Sequence, residues 1–96
     1  MKVVWSPLAD DEVDEAIAYI AKDDPAAALQ WLEHLLERVA SLATFPDSGR
    51  MVPELQRDDI REIMVGAYRV MYRRSQDRVE IVAIRHHARD CEEEMS

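Results

Sequence analysis

Apolar positions in the first half of the chain recur with the 3.6-residue spacing of amphipathic helices. One stripe follows Ser6-Pro7 and ends near Ile20, and a second follows Asp24-Pro25 and ends near Ala43. In both cases a capping side chain precedes a proline, which suits the first position of a helix. The connection at residues 22–24 is short, so the pattern predicts an antiparallel helical hairpin.

Strand patterns flank this hairpin. Residues 2–5 predict a short strand before it, and residues 60–65, 68–74 and 78–86 predict three strands after it. Residues 46–59 contain prolines, a glycine and charges, which predicts a loop with one helical turn. The order β-α-α-β-β-β indicates an α+β domain, in which the hairpin packs on one face of a mainly antiparallel sheet.

The last two strands are expected to form a hairpin around a two-residue turn at Gln76-Asp77. Alternation along each strand then assigns every side chain to one face of the sheet. This register places Arg73 opposite Glu80, Met71 opposite Val82, and Arg69 opposite Ile84. The face toward the helices is predicted to carry Tyr68, Val70, Tyr72, Val79, Ile81 and Ala83. The opposite face is predicted to carry Arg69, Met71, Arg73, Glu80, Val82, Ile84 and His86.

This second face would be basic and half apolar, as expected of a surface that binds a protein partner. Alternatively, the C-terminal segment of the same chain covers it.

Charge is distributed unevenly along the 96 residues. The net charge is −8, but residues 1–48 carry −7 while residues 61–90 carry +3. The total argues against a general nucleic-acid coat and does not exclude a local basic patch. The length indicates a single domain over residues 1–96, with a frayed acidic tail at 90–96. No signal peptide or long apolar run is present, which predicts a cytoplasmic protein with no membrane contact.

Catalytic motifs are scarce in this sequence. There is no glycine-rich phosphate loop, zinc spacing or serine nucleophile elbow, so neither a cofactor nor a metal is predicted. His86 and His87 are adjacent and would point to opposite faces of a strand, so they cannot chelate one metal together. One of them beside Arg69 and Arg85 would fit metal-free RNA cleavage, in which the ribose 2′-OH attacks the neighbouring phosphate. The same residues fit a protein–protein surface equally well.

Four segments of the chain, taken in order, carry a family resemblance. They are Trp5-Ser6-Pro7 with Ala9 and Glu12, Phe45–Arg50 with Val52-Pro53-Glu54, Ile60–Ile63 with Tyr68–Arg73, and Val82–Asp90. Together they resemble the RelE/ParE superfamily of toxins from bacterial type II toxin–antitoxin modules. The resemblance implies the α+β fold described above. It also implies a partner, a small antitoxin whose C-terminal segment wraps the toxin in a hetero-oligomeric complex.

The superfamily has two main activities, and the resemblance favours one of them. RelE-like members are ribosome-dependent mRNA endonucleases, whereas ParE-like members poison DNA gyrase and are not known as nucleases. Arg69 matches a strand arginine common to both branches. The positions of the nuclease lysines hold Ile60 and Glu62, and no tyrosine follows Tyr72. The resemblance therefore implies a ParE-like toxin, of the plasmid-stabilisation type, that inhibits gyrase by binding rather than by catalysis.

Two alternatives stay open. A ribosome-dependent endonuclease would use Arg69, Arg85 and His87 as catalytic residues, with Glu62 as a further candidate. A relative without toxicity would only bind antitoxin. The implied docking surfaces are the groove of the helical hairpin and the basic sheet face. The residues expected to meet antitoxin or target are Arg61, Arg69, Met71, Arg73, Val82, Ile84, Arg85, His86, His87 and Arg89.

Overall fold

A computed structural model describes residues 1–88 of the chain. The elements in chain order are β1 (Lys2–Trp5), α1 (Pro7–Ala21), α2 (Pro25–Ser41), β2 (Arg50–Met51), β3 (Ile60–Val65), β4 (Tyr68–Arg74) and β5 (Arg78–His86). The strands form one sheet in the order β1-β5-β4-β3-β2. β1 is parallel to β5 and every other pair is antiparallel. The predicted α+β architecture is confirmed, and β2 is a short strand within the predicted loop.

Both helices begin where their capping side chains predict. The Ser6 hydroxyl accepts a hydrogen bond from the Ala9 amide at 3.0 Å. The Asp24 carboxylate accepts from the amides of Ala26 and Ala27 at 3.0 and 3.2 Å. These bonds satisfy amides that have no partner within the first helical turn. In the described part of the chain, neither helix is long and apolar enough to cross a membrane.

The core lies between the helical hairpin and one face of the sheet. Leu35 of α2 and Val70, Tyr72 and Ile81 of the central strands are all fully buried there. Trp31 adds a polar anchor, because its indole N–H donates to the Val65 carbonyl at 3.0 Å. Burial of apolar side chains on this face supplies the main favourable contribution to folding.

The predicted β4–β5 register is correct near the turn and wrong beyond it. Arg73 is opposite Glu80, as predicted, and their side chains form an ion pair at 2.9 Å. Past Tyr72 the register shifts, so that Met71 pairs with Ala83 and Arg69 pairs with Arg85. Val82 is the extra residue of a β-bulge. The side chains of β5 after Val82 therefore lie on the opposite face of the sheet from the one predicted.

The bulge corrects three assignments of side chains to faces. Ile84 belongs to the core and is 3% exposed, rather than part of an open basic face. His86 also lies on the helix side, where its ring packs edge-on against Tyr68 and Tyr19. Ala83 was predicted to face the helices and instead lies on the opposite face of the sheet, where it pairs with Met71.

The physical reason for the bulge lies at the end of β1. β1 pairs with β5 only as far as Ile81, because the chain then turns into α1. Beyond Ile81, side chains at the start of α1 form hydrogen bonds with the backbone at this edge of β5 instead. The Ser6 hydroxyl donates to the Val82 carbonyl at 3.2 Å, and the Glu12 carboxylate accepts from the Ile84 amide at 2.9 Å.

Candidate functional site

The face of the sheet turned away from the helices carries the candidate site, and it is called the outer face below. Its members on β3, β4 and β5 are Ile60, Glu62, Met64, Arg69, Met71, Arg73, Glu80, Ala83 and Arg85. Apolar and charged side chains are mixed on this face. Unlike a fully solvated face, it also buries a carboxylate.

Arg69 is the centre of this face. Its Nε donates to Glu62 Oε2 at 2.8 Å, and its Nη2 donates to Glu62 Oε1 at 3.2 Å. The same Nη2 donates to Glu54 Oε2 at 2.9 Å. Arg50 Nη2 lies 3.3 Å from Glu62 Oε1 and completes a set of two arginines and two glutamates. These four residues, Arg50, Glu54, Glu62 and Arg69, are called the Arg69 cluster.

The Arg69 cluster has a buried inner half and an exposed outer half. The side chain of Glu62 is 0% exposed and that of Arg69 is 10% exposed. The side chain of Glu54 is 53% exposed and that of Arg50 is 64% exposed. The inner pair is bidentate, the arrangement that binds arginine to carboxylate most strongly. The outer pair is exposed to water and correspondingly weaker.

The pKa values of two cluster members follow from these contacts. The hydrogen bond to Glu62, with that to Glu54, raises the pKa of Arg69 against the opposing effect of burial. The hydrogen bond from Arg69 holds the pKa of Glu54 below its usual value. Both groups are therefore charged at neutral pH, and Glu54 is a weak proton acceptor there.

The loop at residues 46–59 brings Glu54 over the sheet. Tyr72 fastens the start of this loop, because its hydroxyl donates to the Pro46 carbonyl at 2.7 Å and accepts from the Gly49 amide at 2.9 Å. Burial raises the pKa of the Tyr72 hydroxyl, so it stays a donor at neutral pH. A methyl group on Gly49 would lie 2.6 Å from that hydroxyl and 2.7 Å from the Glu62 carbonyl. Only glycine lets the loop approach this closely.

Four arginines predicted to form a basic surface each have a carboxylate partner. Arg61 pairs with Asp58 at 2.7 Å, and Arg73 pairs with Glu80. Arg69 pairs with Glu62, and Arg85 pairs with Glu12 of α1 at 2.8 Å. Local neutralisation thus replaces the predicted open cationic patch: Glu62 and Glu80 lie on neighbouring strands, Asp58 comes from the loop, and Glu12 comes from α1.

The other residues predicted to bind antitoxin or target lie in different parts of the structure. Met71 is half-buried on the outer face, and Val82 is half-buried at the bulge. His87 is exposed just after β5, and its backbone amide donates to the Ala67 carbonyl at 2.8 Å. Ile84 and His86 belong to the helix side, as described above. Arg89 lies outside the described residues.

For the endonuclease set, the structure pairs Arg69 with Arg85 on adjacent strands and places Glu62 under Arg69. Glu62 is enclosed by two arginines and has no access to solvent.

The sequence reasoning missed Glu54, although the Pro53-Glu54 segment was part of the family resemblance. Among residues 1–88, no group of three or more acidic, histidine or cysteine side chains is placed to hold a metal ion.

A second surface lies on the helical hairpin. A groove of about 470 Å³ separates the start of α1 from the end of α2, and Trp5 of β1 forms part of its wall. Val13, Leu35 and Leu36 give it an apolar lining, while Asp10 and Asp14 make the α1 side acidic. Leu36 is 51% exposed, so apolar surface is available to a partner here.

Sequence comparison decides the family. The profile described as "ParE toxin of type II toxin-antitoxin system, parDE" matches residues 3–91. The chain belongs to the ParE toxin family. A relative named "Putative toxin Y4kP", from Sinorhizobium fredii (strain NBRC 101917 / NGR234), is 36% identical over 87 residues. That alignment covers 88% of this chain and 86% of the relative.

Solved structures share the ParE-family fold. One, titled "Chromosomal ParDE TA system from P. aeruginosa", has a TM-score of 0.69 at 20% identity and covers 90% of this chain and 95% of its own. Another, titled "YoeB/ParE toxin from Agrobacterium tumefaciens", has a TM-score of 0.62 at 18% identity and covers 91% of this chain and 99% of its own. At these identities the similarity shows the fold.

Proposed function

We propose that this ParE-family toxin inhibits DNA gyrase by binding it, and that a cognate antitoxin neutralises it. The observation that carries the proposal is the match to the ParE toxin family over residues 3–91. ParE-like members of the superfamily are the ones that the resemblance associates with gyrase. The length of the match means that nearly the whole chain contributes to the assignment.

The geometry of the outer face supports binding rather than catalysis. A general base needs an accessible group whose pKa lies near the working pH. Glu62 is inaccessible, and the pKa of Glu54 is lowered by Arg69. His86 packs between two tyrosines. In the described part of the chain, His87 is the histidine near Arg69 that stays exposed.

A supercoiling assay tests the proposal directly. Purified toxin at micromolar concentration should block supercoiling of relaxed plasmid by gyrase, and toxin co-purified with its antitoxin should not. Supercoiling that proceeds unchanged at ten times that concentration would contradict gyrase as the target. Expression without antitoxin should also slow bacterial growth and induce a DNA-damage reporter. Unimpaired growth would instead support a relative without toxicity.

One observation favours the endonuclease as a second candidate. Arg69 and Arg85 are opposite each other on β4 and β5, and the exposed His87 follows directly. Such an enzyme would cut translated mRNA, and primer extension would detect the new ends. The cuts should disappear in His87→Ala and persist in Arg78→Ala, which changes an exposed residue at the opposite end of β5. Intact mRNA during growth arrest would reject this candidate.

We further propose that the antitoxin binds in the groove between α1 and α2. The acidic rim at Asp10 and Asp14 suits a segment in which apolar residues are flanked by lysine or arginine. Leu36→Glu should weaken antitoxin binding about tenfold or more, because it places a charge in the groove. Leu29→Glu is the matched control on the same helix, since Leu29 is 60% exposed and does not line the groove. Equal binding by both variants would move the antitoxin site elsewhere.

A further inference from the structure

We propose that residues 53–58 form a strap that holds the sheet from both faces, and that the two ionic anchors of this strap release together. The side chains of residues 53–58 are all exposed, whereas Val52 before them and Ile60 after them are buried. The Val52 amide donates to the Ile60 carbonyl at 3.4 Å, so the two ends of the strap meet at the sheet. An exposed segment with buried ends can open locally while the rest of the fold stays closed.

The two anchors of the strap lie on opposite faces of the sheet. On the outer face, the Glu54 carboxylate accepts a hydrogen bond from Arg69 Nη2 at 2.9 Å. On the helix side, Asp58 accepts from Arg61 Nη2 and from Arg74 Nη2, both at 2.7 Å. Alternation along β3 and β4 places Arg61 and Arg74 on the face opposite to Arg69. One short segment therefore reaches both faces.

Each anchor is weak by itself. In the described part of the chain, the hydrogen bonds and ion pairs that join the strap to side chains of the sheet all end on Glu54 or Asp58. The Glu54 side chain is 53% exposed and that of Asp58 is 73% exposed, so water and salt screen both. When one anchor is released, the other has to offset the entropy of ordering the whole segment.

The backbone between the anchors is a tight turn. The amides of Leu55 and Gln56 both donate to the Val52 carbonyl at 3.2 Å. Arg57 pairs with Asp59 at 2.7 Å, within the same loop. These local bonds stiffen the strap, so that a displacement at Asp58 is passed on to Glu54. The strap thus couples the two faces of the sheet, and the coupling is reciprocal. The inference does not depend on which protein the toxin inhibits.

The experiment measures the pKa of Glu54 by NMR titration of its ¹³C-labelled carboxyl group in the full-length chain. In Asp58→Asn this pKa should rise by about 0.2–0.4 units, because the Arg69 hydrogen bond that lowers it is lost. A direct effect of charge has the opposite sign, since removing a nearby negative charge lowers the pKa of a carboxyl group. Asp59→Asn is the matched control. It removes the same charge from the same loop, and should not raise the pKa of Glu54.

The reverse direction gives an independent measurement. Glu54→Gln should shift the Nε–H signal of Arg61, because Asp58 is released from the other face. Glu80→Gln removes a negative charge from the outer face beside Arg73, and should leave the Arg61 signal in place.

Several results would overturn the proposal. An unchanged or lower pKa of Glu54 in Asp58→Asn would mean that the anchors are independent, as would an unmoved Arg61 signal in Glu54→Gln. An equal rise in Asp59→Asn would mean that Asp58 is not an anchor. The wild type provides a test that needs no variant. As NaCl rises from about 0.01 to 1 M and screens both pairs, the fractional shifts of the Glu54 carboxyl and Arg61 Nε–H signals should coincide. Two different curves would contradict joint release.

Discussion

The two faces of the sheet are built from different chemistry. On the helix side, Val70, Tyr72 and Ile81 are fully buried against α2 residues such as Leu35. On the outer face the most buried side chain is a carboxylate, that of Glu62, which Arg69 and Arg50 surround. One face is stabilised by burial of apolar surface, and the other depends on a charge remaining paired.

This difference determines how each face responds to change. An apolar side chain is stable wherever water is excluded, and it needs no particular partner. A buried carboxylate loses its hydration, and its partners must replace that hydration in full. The outer face is therefore the part of the molecule where removing one side chain should have the largest effect for its size.

The largest effect is expected for Arg69→Met. This variant keeps most of the volume but leaves Glu62 buried with only Arg50 beside it, at 3.3 Å. Breaking a buried ion pair from one side costs about 3–5 kcal/mol. Urea unfolding followed by circular dichroism should show this loss of stability. A loss below about 1 kcal/mol would mean that Glu62 is not held as the structure shows.

The double variant Arg69→Met/Glu62→Met provides the control for that measurement. Replacing both members of a buried pair with apolar residues is often close to neutral. The double variant should therefore be more stable than Arg69→Met. It should recover more than half of the free energy of unfolding that Arg69→Met loses. Additive losses would show that the pair does not act as a unit.

The next effect concerns the contact that joins the two faces. Tyr72 is buried on the helix side, yet its hydroxyl holds the loop that carries Glu54. Tyr72→Phe leaves the Gly49 amide without that acceptor and should cost about 1–3 kcal/mol. A thermal-melt shift within experimental error for Tyr72→Phe would contradict the role of this hydroxyl.

The sequence predicts the helices well, and predicts the second half of β5 and the contacts of the outer face poorly, for physical reasons. Helix starts at Ser6 and Asp24 follow from local capping, which needs only neighbouring residues. The β-bulge at Val82 does not follow, because valine is an ordinary strand residue and the cause lies at the end of β1, far away in the sequence. Glu54 reaches Arg69 through a turn in which Gln56 has a positive φ of 50°. Alternation of polar and apolar residues carries no information about such a turn.

A smaller effect should come from Glu12, which links α1 to the edge of β5. Glu12→Ala removes both the acceptor for the Ile84 amide and the partner of Arg85. We expect a loss of about 1–2 kcal/mol, with faster amide exchange at Ile84. Glu12→Gln keeps an acceptor oxygen and should recover most of the protection. If Ile84 exchanges equally in both variants, the Glu12 hydrogen bond does not complete the strand edge.

The smallest effect on stability is expected at Glu54, on the exposed half of the Arg69 cluster. Arg69 lowers the pKa of Glu54 in the folded state, so the stabilisation is present above the pKa of an unfolded glutamate. It is lost as the pH falls through the lower, folded value. At neutral pH, Glu54→Gln should cost at most about 0.5 kcal/mol, because water screens this pair. The difference between wild type and variant should shrink toward zero in urea titrations at progressively lower pH. A difference that grows on acidification would mean that Arg69 does not favour the charged form of Glu54, and the contrast between the two halves of the cluster would fail.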